Sequence, residues 1–177
     1  MKQIILLGPK HSGKTSVGKV LAEKCSCGFI DLDEEITNRT GKTPRQLYNE
    51  GIEKFKKAEI DSFKQLATCY LLPATCHIIA TGGGIIDNDE AVKLLKQLEA
   101  IKVYLNISAA TAWQRISAAG ELPPFLQTDN PQETHRILHE RRSEAYSQFA
   151  NIVIDAEGKT PEEIAGIIVT IISSYIV

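Results

Sequence analysis

The sequence predicts an α/β fold in which a parallel β-sheet lies between two layers of helices. Five short apolar runs rich in Ile, Val and Leu alternate with longer segments of helical periodicity, and the runs show little polar alternation. Strands of that composition are typical of a sheet covered on both faces, and the alternation predicts a doubly wound sheet with right-handed crossovers. The length of 177 residues suits one compact domain spanning residues 1–177.

The elements can be placed one by one. The predicted strands are Gln3–Leu7, Gly28–Leu32, His77–Ala80, Ala100–Leu105 and Asn151–Ile154. The predicted helices are Lys14–Lys24, Gly51–Leu72, Asp89–Leu98, Ala109–Ala118, Gln132–Phe149 and Pro161–Ile176. Ser108 is a plausible N-cap, and Thr160 with Glu163 forms a capping-box pattern. The segment 33–50 is polar with short helical pieces, and the segment 119–131 holds Gly120, Pro123, Pro124 and Pro131. Neither fits a plain layout of strands and helices, and loops of such composition often move over a site.

Composition and charge exclude several classes of protein. The formal net charge is −2, so no global basic field attracts nucleic acid or an anionic membrane. The first apolar run is too short for a signal peptide. The apolar stretch 164–177 is shorter than the ~20 residues that span a bilayer, so it predicts a helix packed on the sheet, with a membrane anchor as the alternative. We therefore expect a cytoplasmic monomer without nucleic-acid or membrane partners.

The chain has four cysteines, which are Cys25, Cys27, Cys69 and Cys76. Because no secretion signal precedes them, we expect reduced thiols. The pair Cys25 and Cys27 could begin a metal site, but four ligands at typical zinc spacing are not apparent. Small buried apolar side chains are the favoured interpretation.

A phosphate-binding motif lies between the first strand and the first helix. It reads Gly8-Pro9-Lys10-His11-Ser12-Gly13-Lys14-Thr15 and matches G-x-x-x-x-G-K-[ST]. In such a P-loop the backbone N–H groups point at phosphate oxygens, and the helix N-terminus adds partial positive charge. Lys14 would reach the β- and γ-phosphates as a catalytic residue, and the Thr15 hydroxyl would bind Mg²⁺. The predicted nucleotide-binding residues of this segment are Gly8, Lys10, His11, Ser12, Gly13, Lys14, Thr15 and Ser16.

This motif predicts a kinase that binds ATP and magnesium and phosphorylates a hydroxyl of a small molecule. Such a site also needs a carboxylate, and the third strand ends without one. The nearest candidates are Asp31 and Asp33, which strand alternation puts on one side, facing the crevice at the carboxyl edge of the sheet. One would hold the metal's water shell, and the other would orient or deprotonate the acceptor hydroxyl. A loop acid or helix cap is the alternative.

Three further features have both a functional and an ordinary explanation. The run Gly82-Gly83-Gly84 at a strand end allows close approach of the backbone to a ligand, and a flexible turn is the alternative. Lys56 and Glu59 share a helix face, which is usually a solvated face. Arg141 and Arg142 lie on the long helix before the last strand, where one of them could point inward to bind an anion.

In this order the segments resemble the shikimate kinase family. The resemblance rests on the P-loop, Phe29–Ile36, Thr40–Lys42, Glu50–Phe55, Ala80–Gly84, and Arg142 with Tyr146 before Asn151–Asp155. It covers nearly the whole chain, and Asp-x-Asp with Thr-Gly-Gly-Gly after a P-loop is specific for that family. The resemblance implies a three-layer, nucleoside-monophosphate-kinase-like fold with five parallel strands in the order 2-3-1-4-5. It also implies a substrate-binding segment at about 31–60 and a lid at about 116–131.

The same resemblance implies roles for individual residues. Asp31 would support Mg²⁺ with Thr15, Asp33 would contact the acceptor hydroxyl and act as a base, and Arg115 would lie against the adenine. The implied substrate-binding residues are Asp33, Lys56, Gly82, Gly83, Gly84 and Arg142. The implied reaction transfers the γ-phosphoryl group of ATP to shikimate, giving shikimate 3-phosphate, in the biosynthesis of chorismate and the aromatic amino acids.

Two positions depart from the family pattern. Lys56 stands where the family has an arginine that clamps the substrate carboxylate, so the charge is kept and the bidentate fork is lost. The lid stretch reads Pro123-Pro124-Phe125-Leu126 and lacks the family's phosphate-binding arginine. Lys10 could supply that charge, and His11 is a second potential cation. The alternatives are a kinase retuned for another polyol or hydroxy acid, and a non-catalytic nucleotide-binding homologue.

Overall fold

A computed structural model describes residues 3–70 and 76–175. The strands are β1 (Ile4–Leu7), β2 (Gly28–Asp31), β3 (His77–Ala80), β4 (Ile101–Asn106) and β5 (Ile152–Asp155). The helices are α1 (Lys14–Cys25), α2 (Leu32–Thr40), α3 (Pro44–Glu50), α4 (Ile52–Tyr70), α5 (Asp89–Gln97), α6 (Ala109–Ala118), α7 (Pro131–Phe149) and α8 (Pro161–Tyr175). Short 3-10 turns lie at Ile85–Asp87 and Pro124–Leu126. The predicted helix ends at residues 71–72 and 176 fall outside the described residues.

The sheet has the predicted topology. Its strands are parallel and lie in the order β2-β3-β1-β4-β5, which confirms the expected 2-3-1-4-5 arrangement. The register aligns Ile4 of β1 with Ile78 of β3 and with Ile101 of β4. The chain therefore reverses its direction of winding at β1, and the crevice at the carboxyl ends of β1 and β3 is where such folds bind ligands.

Alternate residues of the central strands bury against two separate helical layers. On β1, Ile4 and Leu6 join a core with α1, α6 and α8, while Ile5 and Leu7 join a core with α2, α4, α5 and α7. All four side chains have no exposed surface. This burial on both faces explains why the strands read as continuous apolar runs.

Helix α8 belongs to the first of these cores. Its residues Ile164, Ala165, Ile168 and Ile172 are buried in that core. The predicted helix packed on the sheet is thus confirmed for the part of 164–177 that the structure describes. None of the described helices has the length and apolar character needed to cross a membrane.

The capping signals form as predicted. Ser108 Oγ accepts the Thr111 N–H at 3.1 Å, and Thr160 and Glu163 exchange both hydrogen bonds of a capping box. A capping box that the sequence analysis did not use starts α3, where Thr43 and Gln46 pair in the same way. The short helical pieces expected in the polar segment 33–50 are thus the helices α2 and α3.

Two expectations are wrong in detail. Strand β2 ends at Asp31, so Asp33 lies in the first turn of α2 and strand alternation does not place it. Cys27 and Cys76 form a disulfide instead of remaining reduced, while Cys25 is a free thiol. The parallel register pairs Gly28 with His77, so the residues before them lie side by side, with Cα atoms 5.0 Å apart. That separation suits a disulfide, and no short-range pattern reveals it.

Candidate active site

The P-loop forms a tight wrap between β1 and α1. Gly8 has φ +146°, and a Cβ there would lie 2.8 Å from both Leu105 O and Ser12 Oγ. Only glycine fits that backbone and that space. His11 also has a positive φ, 61°, although it is not glycine. The loop residues are therefore held in the conformation that turns backbone N–H groups inward.

Lys14 lies at the centre of this loop. Its ammonium donates to the carbonyl oxygens of Gly8 at 2.9 Å and Pro9 at 2.8 Å, and the side chain is buried. Burial lowers the pKa of Lys14 to about 8, an effect opposed by the carboxylates of Asp33 and Asp31. The cation is thus fixed where the loop would receive an anion.

Charge around the loop comes from fewer residues than expected. Burial, followed by the charges of Lys10, Lys14 and Arg115, lowers the pKa of His11, so its ring is neutral at pH 7. The positive charge near the loop therefore comes mainly from Lys10, Lys14 and Arg115. The two predicted nucleotide contacts Arg115 and His11 do meet, because Arg115 Nη1 donates to His11 O at 3.0 Å.

Asp31 joins the P-loop to the second strand. Thr15 Oγ1 donates to Asp31 Oδ2 at 2.6 Å, and Asp31 Oδ1 accepts the Asp33 N–H at 3.0 Å as the N-cap of α2. Asp31 is therefore the cap of α2 and also contacts the P-loop threonine, so the helix-cap interpretation does not exclude the functional one. A hydroxyl and a carboxylate oxygen in contact form the kind of donor set that Mg²⁺ prefers.

Asp33 lies across from Lys14 in the crevice. Burial raises the pKa of Asp33 and the neighbouring Asp31 charge raises it further, while Lys14 and Lys10 lower it. A carboxylate with a raised pKa is a stronger base than an ordinary aspartate. Asp33 also lines the cavity that reaches Lys10 of the P-loop.

Each of the three glycines after β3 lacks a side chain where a different neighbouring group lies close to the backbone. A Cβ on Gly82 would lie 3.2 Å from Asp33 Oδ1, and one on Gly83 would lie 2.6 Å from Lys10 N. One on Gly84 would lie 3.2 Å from Arg142 Nη2. The three glycines therefore allow Asp33, the P-loop backbone and Arg142 to pack closely against this turn. A flexible turn alone does not account for these contacts.

The predicted acceptor residues converge on one cavity. Asp33, Lys56, Gly82–Gly84 and Arg142 line a space of about 530 Å³ that also reaches Lys10. Within residues 3–70 and 76–175, no carboxylate forms an ion pair with the Lys56 ammonium, so its charge remains available to a ligand. Two cationic side chains thus face the same space as the candidate base.

The two neighbouring arginines of α7 differ in their placement. Arg142 points inward with 12% of its side chain exposed, whereas Arg141 points outward with 62% exposed. Both pair with Asp87, at 2.6 Å from Arg142 Nη2 and 2.7 Å from Arg141 Nη2. The inward arginine anticipated from the sequence is therefore Arg142.

Glu59 is a site residue that the sequence analysis assigned wrongly. It is 1% exposed, so the solvated-face interpretation fails for it. Asn88 Nδ2 donates to Glu59 Oε2 at 3.0 Å, and burial raises the pKa of Glu59 to about 7. Its spacing was the available signal, because Glu59 is four residues from both Phe55 and Phe63 and so lies on the apolar stripe of α4.

The segment 116–131, which the resemblance implies is a lid, contacts helix α3 of the segment implied to bind the substrate. Leu126, the last residue of the 3-10 turn Pro124–Leu126, is fully buried. The rings of Phe125 and Tyr48 of α3 meet edge-on, with their centroids 6.5 Å apart. Arg45 Nη2 donates to Leu122 O at 2.6 Å and Glu121 O at 3.1 Å, and Arg45 also forms an ion pair with Glu121. Arg45, Asp87 and Asn88 carry no motif that identifies them from the sequence.

Comparison with known proteins identifies the family. A sequence model described as shikimate kinase matches residues 10–173. A shikimate kinase from Thermodesulfovibrio yellowstonii is 36% identical over 166 residues, which cover 93% of this chain and 91% of the relative. The structure of shikimate kinase from Acinetobacter baumannii in complex with shikimate superimposes with a TM-score of 0.88 and 31% identity, covering 99% of this chain and 94% of that chain.

A more distant neighbour bears on the fold alone. The deoxyadenosine kinase from M. mycoides with bound dATP has a TM-score of 0.64 at 17% identity and covers 98% of this chain and all of that chain (100%). The core shared with it is the nucleoside-monophosphate-kinase-like sheet. Because the family model matches residues 10–173 and the relative from Thermodesulfovibrio yellowstonii is 36% identical over 93% of this chain, the chain belongs to the shikimate kinase family.

Proposed function

We propose that the chain transfers the γ-phosphoryl group of ATP to a hydroxyl of shikimate, giving shikimate 3-phosphate for chorismate and aromatic amino-acid biosynthesis. The observation that carries the proposal is the convergence of Lys56, Arg142 and Asp33 on one cavity beside the P-loop. Two cations suit the carboxylate of a small acid, and the carboxylate of Asp33 suits its hydroxyl. The relative from Acinetobacter baumannii, whose structure contains shikimate, supports this choice of acceptor.

On the donor side, the P-loop residues Gly8–Thr15 and Ser16 would hold the phosphates, with Lys14 reaching the β- and γ-phosphates. Thr15 and Asp31 would hold Mg²⁺, since their oxygens lie 2.6 Å apart and this ion is commonly bound by one carboxylate together with substrate phosphates. When bound, the ion neutralises charge that develops on the transferring group. Arg115 would lie against the adenine beside the loop 155–161.

On the acceptor side, residues 31–60 form the substrate-binding segment and residues 116–131 the lid. Asp33 accepts the proton of the substrate hydroxyl while that oxygen forms its bond to the γ-phosphorus. The bond between the γ-phosphorus and the β,γ-bridging oxygen breaks, and ADP leaves with the electron pair. Lys56 and Arg142 orient the acid, and Lys14 stabilises the charge on the phosphates.

The acceptor is tested by measuring turnover of ATP with shikimate, quinate and gluconate. We expect shikimate to give the highest kcat/KM, and Asp33→Asn to lower kcat by about a hundredfold or more. Turnover with another acid but none with concentrated shikimate would favour a retuned kinase. Binding of ATP without turnover across all three acids would favour a non-catalytic homologue.

We also propose that Lys10 replaces the missing lid arginine. Its charge lowers the pKa of both Asp33 and Lys14, which places its ammonium near the reacting groups, and it lines the same cavity. We expect Lys10→Ala to reduce kcat by about a hundredfold or more and to leave the KM for shikimate nearly unchanged. The exposed Lys24→Ala serves as a charge-matched control. Undiminished turnover in Lys10→Ala would contradict this role.

A cytoplasmic, monomeric enzyme fits these proposals. The reaction consumes ATP, which favours the cytoplasm, although a disulfide such as Cys27–Cys76 is uncommon in that compartment. Among the described residues the large apolar side chains with high exposure are scattered, and Ile52 and Ile137 of this group line the acceptor cavity. Scattered apolar side chains do not form the extended patch that a stable interface needs. Light scattering during size-exclusion chromatography measures the oligomeric state directly.

A further inference from the structure

Asp87 links the glycine run to the two arginines of α7. It is the last residue of the 3-10 turn Ile85–Asp87, which directly follows Gly84. Its Oδ2 accepts from Arg142 Nε at 2.9 Å and Nη2 at 2.6 Å, and its Oδ1 accepts from Arg141 Nη2 at 2.7 Å. The carboxylate is about one-quarter exposed, so solvent only partly screens these contacts.

These contacts fix the Arg142 guanidinium on one edge and one face. Asp87 occupies the edge formed by Nε and Nη2, and the Phe125 ring of the lid lies 5.2 Å from the guanidinium carbon. Gly84 leaves space beside Nη2. Within the described residues, Nη1 has no hydrogen-bond partner. These contacts therefore hold the guanidinium in one orientation and leave Nη1 free to bind a ligand.

The combined charge of Asp87, Arg141 and Arg142 still favours binding of an anion. Two guanidinium groups and one carboxylate leave a net charge of about +1, since arginine stays protonated at any ordinary pH. Arg141 is thus a counter-ion for Asp87 that keeps the Arg142 charge available. Without Arg141, the Asp87 carboxylate would cancel the charge that an acidic acceptor needs.

We propose that Asp87 is a positioning residue for the acceptor, holding Arg142 so that Nη1 meets the substrate carboxylate. The inference rests on the proposed function, in which Arg142 binds the carboxylate of shikimate. Because Lys56 is a point charge without a fork, orientation of the acid depends on Arg142 more than it would beside a second arginine. A long side chain that is already ordered loses less conformational entropy when the ligand binds.

The test compares Asp87→Ala, Asp87→Glu and the control Asp89→Ala, which removes an exposed acid two residues away. Calorimetry measures the Kd for shikimate, and steady-state kinetics separates KM from kcat. For Asp87→Ala we expect the Kd and KM for shikimate to rise about threefold to tenfold, with the KM for ATP and kcat nearly unchanged. Asp87→Glu should recover part of the loss, and Asp89→Ala should behave as the wild type.

A substrate analogue separates positioning from general damage. In the carboxamide analogue of shikimate the negative charge is absent, so Asp87→Ala should weaken its binding far less than it weakens shikimate. An unchanged Kd for shikimate in Asp87→Ala would overturn the inference. A lower Kd would also overturn it, because it would show that Asp87 competes with the substrate for Arg142.

The outcomes also distinguish this inference from the proposed function. If the wild type binds shikimate in an Asp87-dependent manner without turning it over, the proposed function fails and the positioning role stands. If turnover occurs and Asp87→Ala changes neither Kd nor KM, the positioning role fails alone. If the wild type does not bind shikimate at all, both fail.

Discussion

At the scale of single residues, the site depends on close packing around the glycines that follow β3. The glycines after β3 have no side chain because Asp33, the P-loop backbone and Arg142 occupy the space around them. This is a steric requirement between segments that are distant in the sequence. At Gly83 the end of β3 therefore packs directly on the P-loop backbone, whereas Gly82 and Gly84 pack against side chains.

Gly83→Ala tests that contact. A Cβ at this position would lie 2.6 Å from Lys10 N and 3.0 Å from Lys10 Cα, so the P-loop backbone must shift. We expect a loss of about 1–3 kcal/mol in the free energy of unfolding and a raised KM for ATP. Thermal unfolding and steady-state kinetics measure the two effects.

The matched control is Gly166→Ala in α8, where a Cβ would meet no atom within 4 Å. Alanine in a helix interior should stabilise the protein by about 0.5–1 kcal/mol. If Gly83→Ala were as stable and as active as this control, the P-loop would not be packed against Gly83.

Glu59 makes the free energy of unfolding decrease as the pH rises. Burial raises its folded pKa from 4.5 to about 7, so the folded state binds the proton more tightly than the unfolded chain. The resulting stability is fully present below about pH 4.5 and is lost as the pH rises through about 7, a difference of roughly 3 kcal/mol. Glu59→Gln should flatten this part of the profile.

The measurement is the free energy of unfolding between pH 4.5 and 8 for the wild type and Glu59→Gln. The exposed Glu53→Gln of the same helix is the control and should keep the slope of the wild type. A Glu59→Gln profile parallel to that of the wild type would show that the carboxyl is ionised throughout this range.

At the scale of elements, the lid is tied to helix α3. Arg45 holds the carbonyl oxygens of Glu121 and Leu122, while Phe125 contacts Tyr48 of the same helix. Pro44, Arg45 and Tyr48 of this helix also line the acceptor cavity. Movement of the lid and movement of the substrate-binding segment should therefore be coupled.

Arg45→Ala tests the tie between these elements. Loss of two charged hydrogen bonds and an exposed ion pair should increase opening of the lid by about tenfold or more. Hydrogen exchange of the amides at 119–127 reports the opening. Arg136→Ala is a suitable control, because the ion pairs of Arg136 stay within α7. Equal exchange in the two variants would show that the lid is held elsewhere.

At the scale of the whole molecule, one covalent bond joins the start of β2 to the residue before β3. The disulfide between Cys27 and Cys76 closes a loop with a sequence separation of 49. A constraint of this length on the unfolded chain is worth about 4 kcal/mol in the chain-entropy description. The edge strand β2 carries Asp31 at its end, so the bond also supports the side of the candidate site on which Asp31 lies.

Reduction should therefore destabilise the protein. We expect dithiothreitol to lower the free energy of unfolding of the wild type by up to about 4 kcal/mol. Cys76→Ser should already have this lower stability and should not respond further to the reductant. Cys25→Ser, which removes a thiol outside the disulfide, should retain the response. A wild type that is insensitive to reductant would show that the bond does not form in solution.

Local patterns determined the parts of this protein whose geometry is local. The P-loop could be predicted because its glycines, Lys14 and Thr15 are contiguous and their conformations depend on neighbours in the chain. The strands and most helix ends followed from apolar periodicity and capping residues, and the strand order followed from a family resemblance. Asp31 was placed correctly because it ends strand β2. Asp33 was placed by strand alternation, but β2 stops before it and Asp33 lies in the first turn of α2.

Only the tertiary structure decided the contacts between distant segments. Arg142 meets Asp87 across 55 positions, and Cys27 meets Cys76 because the register of β2 on β3 brings them together. Glu59 is buried because α4 turns that face toward the site. These features depend on how whole elements pack, and that packing is a sum over many apolar contacts that no short motif contains. For the same reason, the sequence named Lys56 and Arg142 as candidates, but the fold brought them to one cavity.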